Sequence, residues 1–101
     1  MRTFVFFDLP RDTPLQRHNA NKFVKGLKKQ GFIMLQESVY CKLILNATCV
    51  ESERLKIKKI KPEDGNILLL TITEKQFNDM ELLLGKTSDK IIFSTERAVF
   101  I

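Results

Sequence analysis

The chain has little material for a metal site built from sulfur and imidazole. Its 101 residues include two cysteines, Cys41 and Cys49, one histidine, His18, and no tryptophan. The cysteines form no CxxC pair, so the sequence excludes an ordinary zinc site made by this chain alone and argues against a disulfide framework. We expect two reduced thiols, as is typical of a cytoplasmic protein.

Long apolar runs are also absent. No stretch approaches the roughly 20 apolar residues that a membrane span needs. The apolar segment 4–9 is too short for the core of a signal peptide, and no cleavage site follows it. We therefore expect a cytoplasmic protein with no membrane partner, folded as a single domain over residues 1–101.

Acidic residues are in the minority and unevenly placed. Lysine and arginine outnumber aspartate and glutamate 17 to 12, which gives a net charge of +5. A basic balance favours polyanions such as nucleic acid. No acid occurs between Leu15 and Gln36, so the positive charge is concentrated in one segment.

Helix-start signals divide the chain. Three segments match the capping-box pattern and predict helices over 14–30, 49–60 and 74–84. The pairs are Thr13 with Gln16, Thr48 with Glu51, and Thr73 with Gln76. Strand-like segments occupy the region before Asp8 and residues 32–36, 39–45 and 67–72, with further short pieces at 90–94 and 98–101. Residues 37 and 38 are predicted to form a turn between two of the strands.

This order predicts an α+β, ferredoxin-like βαββαβ domain with an extra C-terminal strand. Two helices would cover one face of the sheet. The other face is apolar by the sequence of its central strands and needs a partner. A second copy of the chain is the simplest one, so we expect a homodimer.

Asp8 is a lone acid at the end of the most apolar stretch, Phe4-Val5-Phe6-Phe7. An ionised carboxylate in an apolar strand is costly unless a backbone cap, a cation or a metal compensates it. Two interpretations stay open from the residues alone. Asp8 either caps the turn made with Pro10 or is a functional acid.

The predicted first helix has a cationic arc separate from its apolar side. At 100° per residue the apolar side consists of Ala20, Phe23, Val24 and Leu27. Such an arc is often only a solvated helix face, but a face without acids favours contact with phosphate. The candidate nucleic-acid-binding residues are Arg11, Arg17, Lys22, Lys25 and Lys29, with the arginines suited to bidentate phosphate contacts.

The chain resembles a known family. The segments Val5-Phe6-Phe7-Asp8-Leu9-Pro10 and 31–40, together with the basic helix between them, are similar to the small CRISPR-associated endonuclease subunit of the spacer-acquisition complex. Thr73-Glu74-Lys75-Gln76-Phe77 and Glu96-Arg97-Ala98-Val99-Phe100 look like the version found in type II systems. The resemblance implies a ferredoxin-like homodimer, a C-terminal strand packed across to the other protomer, and a metal-binding role for Asp8.

Two functions follow from the residues and the resemblance together. In the first, Asp8 from both protomers shares one Mg²⁺, and the dimer is an endonuclease acting on single-stranded RNA or double-stranded DNA. In the second, the dimer is a non-catalytic adaptor that holds spacer DNA and bridges copies of the integrase subunit. An RNA-recognition module is disfavoured, because strand 39–45 offers only Tyr40 for base stacking.

Overall fold

The computed structural model describes residues 1–85 and contains four strands and three helices over that range. They are β1 (Arg2–Asp8), α1 (Pro14–Gln30), β2 (Ile33–Gln36), β3 (Val39–Leu43), α2 (Ala47–Ile60), β4 (Asn66–Ile72) and α3 (Glu74–Asn78). The sheet order is β2-β3-β1-β4, and every neighbouring pair is antiparallel. The predicted α+β class and the βαββαβ order are confirmed. The C-terminal strands expected at 90–94 and 98–101 lie outside the described residues.

β1 is the centre of the sheet, as its apolar sequence predicts. It pairs with β3 on one side and with β4 on the other. Successive side chains of a strand alternate between faces. Val5 and Phe7 therefore share one face, where they pack against Phe23 of α1 and Ile57 of α2. Phe4 lies on the opposite face in a second core cluster.

The boundaries of α1 agree with the prediction. Thr13 accepts a hydrogen bond from the backbone of Gln16, and the Gln16 side chain accepts one from Thr13, which completes a capping box. Gly31 ends the helix at φ 103°, where a side chain would be strained. Its N–H and that of Phe32 bond back to the last turn, as in a Schellman motif.

α2 begins two residues earlier than predicted, and the expected capping box of Thr48 and Glu51 is wrong. Asn46 is the cap, because its side chain accepts a hydrogen bond from the N–H of Cys49. Asparagine is among the strongest N-cap residues. Thr48 is already inside the first turn of the helix.

α3 ends at Asn78, well before the predicted end at Leu84. Its capping box at Thr73 is formed as expected, and Phe77 is buried. Beyond Met80 the leucines Leu83 and Leu84 are 82% and 92% exposed. A short helix depends on tertiary packing, and residues 81–85 bury no side chain that would extend it.

Candidate functional site

Asp8 lies at the end of the central strand, on the face of the sheet that carries no long helix. It is the last residue of β1 and is paired with Asn66 of β4. Strand alternation places its side chain on the same face as Phe4 and Phe6. The carboxylate is exposed. Within residues 1–85 it has no hydrogen-bond or ion-pair partner, so the described chain does not compensate its charge.

Two loops support the backbone beside Asp8. The N–H of Phe7 donates to the carbonyl of Ser38 over 3.1 Å, and Ser38 forms the predicted turn at φ 64°. On the other side, Gly65 has φ 106°, and a Cβ there would lie 2.8 Å from the Asp8 carbonyl oxygen. Only glycine combines this conformation with this close approach. The end of β1 is therefore held from both sides while its carboxylate stays free.

One copy of the described chain does not make a metal site. Among residues 1–85 no three acidic, histidine or cysteine side chains are grouped closely enough to hold an ion. Asp12 and Glu37, the nearest other acids in sequence, do not complete a group with Asp8. Mg²⁺ is commonly held by one or two carboxylates and keeps several waters. Asp8 supplies one carboxylate of this kind, and its exposure leaves room for waters.

The sheet face around Asp8 is apolar and partly open. A shallow cavity of about 260 Å³ is lined there by Phe4, Phe6, Leu35, Gln36, Val39, Leu70, Ile72 and Met80. Leu68, which is opposite Phe6 in the pairing register, is 68% exposed, and Leu70, opposite Phe4, is 50% exposed. An apolar surface of this kind is typical of a protein interface.

The other end of this face is closed by α3. Arg2 donates to the carboxylate of Glu74 over 2.8 Å, and its guanidinium lies 4.3 Å from the ring centroid of Phe77. Phe77 covers Cys41, whose thiol is fully buried. Burial raises the pKa of Cys41, although Arg2 opposes the rise. Both cysteines are free thiols, as the sequence predicts.

The candidate lysines Lys22, Lys25 and Lys29 lie on the exposed side of α1. α1 covers the sheet face opposite Asp8, so the lysines and the carboxylate are on different sides of the molecule. In the part of the chain that the structure describes, none of the three lysines forms an ion pair. They remain available to an external anion.

Arg11 and Arg17 are placed differently from the lysines. Arg17 donates to the backbone carbonyls of Arg11 and Asp12 over 3.1 and 3.3 Å. Arg11 donates to the side chain of Asn21 over 3.0 Å. Both guanidinium groups therefore hold the β1–α1 loop against α1. Both are also exposed, and their role in binding nucleic acid stays a prediction.

A buried polar cluster lies between the helices and the sheet and was not predicted from the sequence. Glu53 of α2 is 6% exposed and accepts hydrogen bonds from Lys42 of β3 and from Gln30 of α1. Burial by itself would raise the pKa of Glu53, but these hydrogen bonds outweigh it and hold the pKa below its ordinary value. Glu53 precedes Ile57 and Ile60 at helical spacing, which is the signal that could have identified it.

Fold and site together define a small ferredoxin-like domain with an acid at the end of its central strand and a cationic surface on its helices. Within residues 1–85 no helix has the length and apolarity needed to cross a membrane. The family model for the CRISPR associated protein Cas2 matches residues 1–80. The chain belongs to the Cas2 family.

Individual relatives agree with this assignment. The chain is 48% identical over 101 residues to a CRISPR-associated endoribonuclease Cas2 of Treponema denticola, with all of both chains covered. It is 45% identical to a protein of the same name from Streptococcus mutans, covering all of this chain and 93% of the relative. The crystal structure of Streptococcus pyogenes Cas2 at pH 6.5 superimposes with a TM-score of 0.60 at 21% identity, covering 82% of this chain and 99% of that one.

Proposed function

We propose that this chain is a homodimeric, Mg²⁺-dependent endonuclease of CRISPR adaptation. It acts on phosphodiester bonds of single-stranded RNA or double-stranded DNA, beside the integrase subunit that acquires new spacers. The observation that carries this proposal is Asp8: an exposed carboxylate without a partner in residues 1–85, beside an open apolar sheet face. The endoribonuclease names of the relatives from Treponema denticola and Streptococcus mutans support it.

The metal would be held by Asp8 from both protomers. When two copies meet through the apolar face, the twofold axis relates the two carboxylates. Like charges brought together disfavour ionisation unless a cation lies between them, so a divalent ion and the dimer stabilise each other. When bound, Mg²⁺ supplies charge neutralisation at the phosphate and lowers the pKa of a coordinated water.

Residues of the chain itself would position the Asp8 carboxylate and exclude bulk water from it. The Ser38 carbonyl and the close packing of Gly65 fix the backbone that carries Asp8. Phe6 and Leu68 lie beside it on the same face and would exclude bulk water when covered. Electrostatic interactions strengthen in such a water-poor environment. His18 lies on α1, across the sheet, and has no part in this proposal.

The test is a metal-dependent cleavage assay on single-stranded RNA and double-stranded DNA. Wild type is compared with Asp8→Ala, and Asp12→Ala is the matched control because it removes an exposed acid from the adjoining loop. All three proteins are first shown to be dimers. We expect Asp8→Ala alone to lose cleavage. Equal cleavage by wild type and Asp8→Ala in rigorously purified samples would refute the proposal.

A second candidate function is the non-catalytic adaptor, in which the dimer holds spacer DNA and bridges integrase subunits. The observation that favours it is the position of Lys22, Lys25 and Lys29, which are exposed and unpaired within residues 1–85, on the side away from Asp8. In this case Asp8→Ala leaves spacer integration intact. Reversing the three lysine charges to glutamate abolishes it.

A further inference from the structure

We infer that the DNA-contacting surface is built by both helices, and that Lys56 and Lys59 of α2 join Lys22, Lys25 and Lys29 of α1 in binding the backbone of duplex DNA. These five residues are named here the two-helix lysine surface. The inference rests on the proposed DNA-binding function and extends it to residues on a second element. Its support is the close packing of α1 against α2.

Two contacts show which edges of the helices meet. A Cβ on Gly26 of α1 would lie 2.7 Å from the side chain of Ile60 of α2, so the helices approach closely there. One turn further along α1, the Gln30 side chain donates to Glu53 of α2 over 2.7 Å. Gly26 of α1 contacts Ile60 near the end of α2, whereas Gln30 at the end of α1 contacts Glu53 earlier in α2. The two helices are therefore antiparallel.

The lysines lie along these edges. On α1, Lys22 and Lys29 are four residues before and three residues after Gly26, and Lys25 lies between them at helical spacing. On α2, Lys56 is three residues after Glu53 and four before Ile60, with Lys59 three further on. Residues three and four apart share a helix face. Packed helices are about 8–10 Å apart, which brings both lysine rows into one patch.

Two acids of α2 near this patch already have partners of their own. Glu53 accepts from Lys42 and Gln30, and Glu51 is paired with Arg54 over 2.7 Å. None of the five lysines forms an ion pair with any residue of 1–85, and all five are exposed. Lys56 also acts electrostatically on Glu53 and helps to hold the pKa of that carboxyl down, so the charge is partly compensated there. The other four lysines carry no such interaction within residues 1–85, and all five ammonium groups are exposed to phosphate.

The shape and composition of the patch favour a duplex. Proteins that bind single strands stack the bases on exposed aromatic side chains. The large apolar side chains exposed within residues 1–85 are leucines and one methionine, with no aromatic among them. A two-dimensional lysine patch without stacking groups suits the paired phosphate backbones of a double helix, read without regard to sequence.

The test compares two double variants of α2 with the same change in charge. Lys56→Gln/Lys59→Gln removes the α2 part of the surface. Lys58→Gln/Lys61→Gln is the control. Lys58 follows Arg54 at helical spacing on the side of α2 away from α1, and Lys61 is the residue directly after the helix. Binding of a mixed-sequence DNA duplex is measured at several salt concentrations. The slope of log K against log salt is negative, and each lost phosphate contact makes it shallower by about 0.9.

We expect the slope of the first variant to be shallower than that of wild type by about 1.8, with the control close to wild type and both folded by circular dichroism. Equal slopes for the two variants would overturn the assignment of Lys56 and Lys59. Single-stranded RNA bound as tightly as the duplex would overturn the choice of ligand. A third variant, Lys22→Gln/Lys25→Gln, separates the two proposals: if it binds like wild type, the proposed DNA-binding role of α1 fails as well.

Discussion

The open apolar face makes a quantitative prediction about dimerisation. Leu68 and Leu70 are 68% and 50% exposed in the single chain. Full burial of a leucine contributes roughly 1.5–3 kcal/mol, so covering what remains of each contributes about 1 kcal/mol. In the proposed homodimer, twofold symmetry would place four such leucines in the interface. The four together contribute about 4 kcal/mol, or about a thousandfold in the dimer dissociation constant.

The variant Leu68→Asp/Leu70→Asp removes this contribution and adds charges to the interface. We expect it to be monomeric at concentrations where wild type is dimeric, measured by sedimentation equilibrium. Leu15→Asp is the matched control, because Leu15 is 67% exposed but lies in the first turn of α1. A dimer of undiminished affinity in the double variant would show that this face is not the interface.

The buried pair of Glu53 and Lys42 and the backbone at Gly65 give three further predictions. Glu53→Leu removes the carboxylate that pairs with Lys42, so that the ammonium keeps only the Gln30 backbone carbonyl as an acceptor. We expect this variant to lower the free energy of unfolding by about 3 kcal/mol, and Glu53→Leu/Lys42→Met to recover most of the loss. Urea denaturation measures both, and equal stabilities of the single and double variants would contradict the pairing. The pKa of Glu53 is depressed in the folded state. The ionised carboxylate therefore stabilises the fold above the ordinary pKa of 4.5, and this stabilisation is lost as the pH falls below that value. Glu53→Gln should make the free energy of unfolding depend less on pH in the acid range. Gly65→Ala should lower the free energy of unfolding by more than about 1 kcal/mol and weaken cleavage. Gly85 has a similar φ of 119°, but the nearest atom to an added Cβ would be 3.8 Å away, so Gly85→Ala should destabilise the protein less. Equal losses of stability in the two variants would refute the role of the close contact at Gly65.

Local signals in the sequence predicted most of the fold. Pro14 and Gly31 define α1 because a proline at the first turn and a left-handed glycine at the end act within a few residues. The apolar run before Asp8 identified the central strand for a similar reason. The exact start of α2 was missed because Asn46 and Thr48 are both competent caps, and their competition is decided by tertiary position.

Other features depend on contacts between distant residues. Burial of Glu53 requires Lys42 and Gln30 to reach it from a strand and from another helix. The close approach of Gly26 to Ile60 is likewise a property of helix packing. For the candidate site, the sequence identified Asp8 and the lysines of α1, but only the fold places them on opposite sides of the sheet.

The central claim is that Asp8 from two protomers holds one Mg²⁺. Calorimetric titration of the purified dimer with Mg²⁺ tests it most directly, with Asp8→Asn titrated beside it and the oligomeric state of both measured. We expect one ion for every two chains in wild type and no binding in Asp8→Asn while the dimer persists. One ion for each chain, or undiminished binding by Asp8→Asn, would contradict it.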